Sequence, residues 1–132
     1  MGETQIVGGG VLAPPPQVDD AWFTGMARII RVILGEEDAP AEWAGEPETQ
    51  EALDEARGWA DRWKGKTLER KLVIERINEP SASGPGRAIR MTATWVRNDG
   101  APGSRISYPP AAQDVAKMVH AVRHLIEHVV RN

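Results

Sequence analysis

Residues 87–96, RAIRMTATWV, place Ile89, Met91, Ala93 and Trp95 at every second position, with Arg90, Thr92 and Thr94 between them. A period of two is that of a β-strand, and apolar/polar alternation is that of a sheet buried on one side. This stretch decides the fold class, because the flanking regions read with a helical period. Just before it, TLERKLVIERI (67–77) reads as a strand, joined to it through the long loop NEPSASGPG. After the turn NDGAPG, RISY (105–108) reads as a short third strand with Ile106 and Tyr108 on one face. Successive strands linked by turns form an antiparallel meander.

Outward from the strands the period lengthens. Between Glu48 and Lys64, the side chains Ala52, Leu53, Ala56, Trp59, Ala60 and Trp63 recur at three and four residues, and Gly65 closes the run. That spacing makes one helical stripe suited to packing on a sheet. An earlier helix starts at Asp19, with Val18 and Phe23 placed as a hydrophobic staple and Gly35 as a left-handed stop. Its apolar residues Trp22, Phe23, Met26, Ile29, Ile30, Ile33 and Leu34 cover about 160° of the helical wheel, with Val32 outside that arc. So wide a stripe belongs to a helix that is central to the core or shared with another subunit. Beyond Pro109-Pro110, a last helix is expected over 111–131, with Val115, Met118, Val119, Val122, Leu125, Ile126, Val129 and Val130 on one side. The order is α-α-β-β-β-α, an α+β fold with two N-terminal helices, a three-stranded antiparallel meander and a C-terminal helix, the helices mainly on one face of the sheet.

A chain of 132 residues is one domain. Residues 18–132 form it, and residues 1–17, MGETQIVGGGVLAPPPQ, precede it as an extended arm. In that arm Gly8-Gly9-Gly10 runs into Pro14-Pro15-Pro16, which is polyproline territory and opens no helix, so no dinucleotide-binding loop is read there. Leu, Ile, Val and Phe make up 27 of 132 residues, low for a globular fold, but the net charge is only −3, and five Trp and four Met add apolar bulk. A modest core completed by a partner is therefore expected. Without cysteine there is no disulfide, thiolate metal site or thiol nucleophile. No apolar run approaches bilayer length and no signal segment opens the chain, so a soluble cytoplasmic protein without membrane contact is expected.

Charge divides the chain. Residues 1–66 carry 13 acidic and 6 basic side chains, residues 67–132 carry 6 and 10, and nine carboxylates lie within 36–55. A solvated face and helix-dipole complementation account for most of that block, and attraction between the acidic half of one copy and the basic half of another is the alternative.

All three histidines lie in HAVRHLIEH (120–128), and His124-Leu-Ile-Glu-His128 resembles the H-x-x-E-H pattern of one class of zinc peptidases. At 100° per residue His120, His124 and His128 line up opposite the apolar stripe, toward solvent. A neighbouring pair can chelate a metal, but His120 and His128 stand about 12 Å apart along the axis and cannot share one ion. Those peptidases also need a downstream ligand and a cleft, and four residues follow His128. The three are read as surface histidines and at most weak metal candidates. Neither an enzyme nor a cofactor is expected.

From Glu48 onward, the order helix, three strands, helix is similar to that of double-stranded-RNA-binding domains, and SGPGRAIRMTATWV resembles their G-P loop and second strand. The resemblance implies minor-groove contacts through the helix before the strands and that loop, and phosphate contacts at the start of the last helix, with Arg87, Arg90 and Lys117 as the candidates. In place of a basic cluster stand Ala111, Ala112, Gln113 and Asp114, and the helix before the strands is acidic. Phosphate-neutralising cations are what supply such affinity. The leading expectation is instead a non-enzymatic protein–protein interaction or assembly module, homo-oligomeric, of the kind found as small structural or chaperone-like parts of phage or secretion assemblies. Its expected contact residues are Ile6, Val7, Val11 and Leu12 of the arm, and Trp22, Phe23, Met26, Ile30 and Ile33 of the first helix.

Overall fold

The computed structural model describes Ile6, Val7 and residues 10–132, with side chains from Leu12 onward. A two-strand ribbon, β1 (Ile6–Val7) and β2 (Gly10–Val11), pairs antiparallel at the start. The Asp19 carboxylate then accepts the Trp22 backbone N–H at 2.8 Å and caps α1 (Asp20–Ile33), which ends before Gly35 at φ 79°. A 3-10 turn over Ala41–Gly45 buries Trp43, and Pro47 opens α2 (Pro47–Gly65). The meander follows as β3 (Thr67–Glu79), β4 (Arg87–Arg97) and β5 (Pro102–Ser107), with β4 in the centre. It leads into α3 (Val115–Arg131). The chain has the α+β order α-α-β-β-β-α, with an antiparallel three-stranded sheet.

Two boundaries differ from the sequence reading by three residues or more. The last helix starts at Val115 rather than 111, because Asp114 caps it by accepting the Lys117 N–H at 3.2 Å. The four residues before that cap carry no helix or strand, and the Ala112 carbonyl accepts the Trp22 indole N–H at 2.7 Å. The third strand begins three residues early, at Pro102, where Arg97 and Ala101 close the turn backbone to backbone.

One face of the sheet is covered. Ile89, Met91 and Ala93 of β4 are buried there, with Leu72, Ile74 and Trp95 packed beside them. Over this face lie α2 and α3, which also pack against each other, and Leu53, Ala56, Ala60 and Trp63 of α2 share one buried core with Val119, Val122 and Ile126 of α3. The small alanines of α2 permit close approach, and the Trp63 and Trp95 rings meet edge to face at 6.3 Å. Trp95 lies flat over Gly103 on β5, where a β-carbon would sit 2.3 Å from the indole.

The first helix packs against α2 and α3, and its wide stripe is a core feature of this one chain. Trp22, Met26, Ile29, Ile30, Val32 and Ile33 are all buried, Val32 included, though it lay outside the sequence-derived arc. At about 2 kcal/mol per buried side chain these six contribute on the order of 10 kcal/mol, comparable to a whole domain's net stability. The opposite charges of the two halves also meet inside the chain: Asp20 pairs with Arg76, and Glu55 with Arg123 at 3.6 Å.

The arm is fastened to the domain. Ala13 and Ser81 exchange both backbone hydrogen bonds, at 2.6 and 3.0 Å, and the Gly86 N–H donates to Pro14 O at 3.3 Å. Gly86 is buried, and a β-carbon there would stand 2.6 Å from Pro15 N and 2.7 Å from Glu79 O. Glycine at 86 is what lets the proline segment seat on the β3–β4 loop.

Candidate protein-interaction surface

Among the described residues no helix or strand layer covers the second face of the sheet, and strand register arranges its side chains in cross-strand rows. Paired residues in an antiparallel sheet point the same way. Val73 pairs with Thr92, and Thr92 with Ile106, which makes a row across all three strands with apolar side chains on its two outer strands. On one side lie Lys71, Thr94 and Ser104; on the other, Glu75 and Arg90, with Tyr108 just beyond the end of β5. Val73 is 39% exposed, Ile106 51% and Tyr108 39%. Leu68 is the most exposed large apolar residue described, at 66%, and sits at the register shift between Thr67 and Glu69.

Charge on this face is partly satisfied. Arg90 Nε donates to Glu75 Oε1 at 3.1 Å, and that bond raises the guanidinium above its ordinary value. Lys71 makes no ion pair among the described residues. The Arg87 guanidinium stacks 4.0 Å over the Tyr108 ring.

These facts relocate the residues expected from sequence. Trp22, Met26, Ile30 and Ile33 are inside the core and present nothing to a partner; this corrects their assignment to a contact surface. The cause is that α2 and α3 of the same chain cover the full width of the stripe. Phe23 is half-buried with Arg76 stacked on it at 4.9 Å, and Leu12 is half-buried. The side chains of Ile6, Val7 and Val11 lie outside the described residues. Of the nucleic-acid candidates, Arg87 and Arg90 are engaged as above, and Lys117 is exposed in the first turn of α3. The loop that the RNA-binding resemblance would put against a minor groove is the one to which the arm is bonded, at Ser81 and Gly86.

The histidines are arranged along α3 as expected, with one difference. His124 and His128 are exposed, their rings stacked 6.2 Å apart at 20°. His120 is half-buried, with Nδ1 enclosed and no hydrogen-bond partner among the described residues. Glu127, the carboxylate of the H-x-x-E-H pattern, pairs with Arg123 and Arg131. No group of three metal-ligating side chains occurs among the described residues. A groove of about 280 Å³ runs between β5 and α3 past His124, His128 and Ile106. A second hollow of about 500 Å³ lies at the carboxyl ends of α2 and α3, lined by Trp63, Lys66, Arg97 and Arg131. Cations gather at that end as complements to two helix C-termini.

The outward row was partly visible in the sequence. Leu72-Val73-Ile74 is three apolar residues in succession, and in a strand one of three must face away from the other two. No helix among the described residues is long and apolar enough to cross a membrane. Compared with protein-family models, with curated proteins and with solved structures, the chain shows no match.

Proposed function

We propose that this chain is a non-enzymatic assembly module of the cytoplasm that self-associates through the uncovered face of its sheet. The observation that carries the reading is the contrast of burial across one sheet. Helices enclose one side, while the other displays Val73 and Ile106 on one three-strand row with Tyr108 beside it. Exposed apolar residues scattered singly are ordinary; here Val73 and Ile106 flank Thr92 on one row, with Lys71 on one side of it and Glu75 and Arg90 on the other, which is the support for a contact surface. Arg87 and Arg90 are occupied by Tyr108 and Glu75, and the β3–β4 loop by the arm, which leaves less support for RNA binding. Light scattering across a dilution series tests the reading. The expected result is a mass above the 14.5 kDa of one chain at high concentration, falling toward it on dilution. One-chain mass throughout, up to millimolar protein, would remove the proposal.

A further inference from the structure

We infer that the partner is a second copy of this chain, stacked sheet to sheet about a two-fold axis that runs along the Val73–Thr92–Ile106 row. The inference rests on the assembly reading above and gives it a geometry. Three strands about 4.8 Å apart, rising about 3.3 Å per residue, offer roughly 450 Å² of sheet plane per copy, or about 900 Å² for two. That lies below the roughly 1,600 Å² of a standard stable interface, so the pairing is weak and concentration-dependent.

Charge selects the axis. Two in-plane two-folds can stack a sheet on itself face to face. An axis parallel to the strands sets β3 against the partner's β5, so that Lys71 meets Ser104 and Glu75 meets the Tyr108 end, with no charge paired. An axis across the strands, along the central row, sets β3 against β3 with direction reversed. Lys71 and Glu75 lie two positions to either side of Val73 on the same face. Each Lys71 then faces the other copy's Glu75, and the pair forms twice. Within one chain Lys71 has no ion-pair partner among the described residues, and Glu75 uses only Oε1 on Arg90, so Oε2 remains for a lysine. The same axis sets Arg90 against Thr94, and the Tyr108 end against Ser104, donor against acceptor. Val73 and Ile106 meet their own copies at the centre, where apolar contact excludes water.

A charge-swap cycle reads this directly. Lys71→Glu opposes like charges at two symmetry-related places and is expected to weaken self-association about tenfold or more, as is Glu75→Lys. The double variant Lys71→Glu/Glu75→Lys exchanges the partners and is expected to recover most of that loss, and thermal melts check that each variant is folded. A second measurement leaves charge untouched. The chain has no cysteine, so Thr92→Cys introduces a lone thiol on the axis. A short bis-maleimide is expected to link the two introduced thiols across stacked sheets about 10 Å apart, and to leave a His124→Cys control on α3 unlinked. Recovery in the double variant with linkage at position 92 supports the inference. Self-association without recovery, or with linkage only at position 124, overturns this axis while leaving the assembly reading in place. A chain that is monomeric at millimolar concentration overturns both.

Discussion

The two faces of the sheet are built from the same strands and differ in what they meet. On the helix side, Met91 and Ala93 are fully enclosed, and glycine at 103 makes room for the Trp95 ring. On the other, their strand neighbours Thr92 and Thr94 lie at an open surface beside Val73 and Ile106. An apolar side chain on the covered face contributes to folding in one copy; an exposed one contributes nothing until another molecule covers it. Apolar residues in a sequence thus report a need for cover and not its source. The first helix finds its cover at home, and the sheet's outer row finds none among the described residues.

Substitutions on the two faces should therefore behave differently. Trp63→Ala, under the covered face, is expected to destabilise by about 3–5 kcal/mol in chemical denaturation, since its cavity lies in a packed core. A loss near zero would mean that the helix layer is not closed. Next in size is Gly86→Ala, which forces a methyl group against Pro15 N and Glu79 O. It is expected to cost about 1–3 kcal/mol or to release the arm, seen as a lower melting temperature with faster proteolysis near residues 13–16. An unchanged melt and cleavage rate would show that the arm does not rest there. On the open face, Ile106→Ser at dilute protein should change stability by no more than about 0.5 kcal/mol, while concentrated samples lose self-association. A large loss in the dilute sample would break the contrast between the faces.

The smallest effect lies off both faces. Glu37 accepts hydrogen bonds from Arg31 and Arg28, which hold its carboxyl below the ordinary carboxylate value, the Arg31 bond contributing most. A depressed pKa means stabilisation that is fully present above the unfolded value, about 4.5, and lost as pH falls through the lower folded value. Glu37→Gln should thus flatten a small part of the acid limb of the stability curve and leave neutral pH little changed. An acid limb identical to the parent's would show that the Arg31–Glu37 contact is not maintained in solution.

How far the sequence could be read follows from which contacts are local. The alternation at 89–95, the cap at Asp19 and the stripe of α3 depend on neighbours a few residues apart, and each stands where the pattern placed it. The owner of the cover over α1 could not be read, because a 160° arc is the same whether α2 and α3 or a second subunit fill it. The Gly86 contact joins segments far apart in the chain, and a glycine in a loop reads as a turn before it reads as a seat for Pro15. Trp43 fell within what composition marks as an acidic loop, though a 3-10 turn buries it. For the candidate surface, Val73 was foreshadowed by its apolar neighbours on both sides. Leu68 is exposed at a register shift that no periodicity announces.

On the proposed reading, self-association runs through the open sheet face and not through the amino-terminal helix, which is buried in the core. Light scattering of the parent and of a Val73→Glu/Ile106→Glu double variant, at matched high concentration, tests it most directly. The parent should exceed one-chain mass, and the variant should fall to 14.5 kDa with its melting temperature retained. A parent of one-chain mass, or a variant that associates as the parent does, would contradict it.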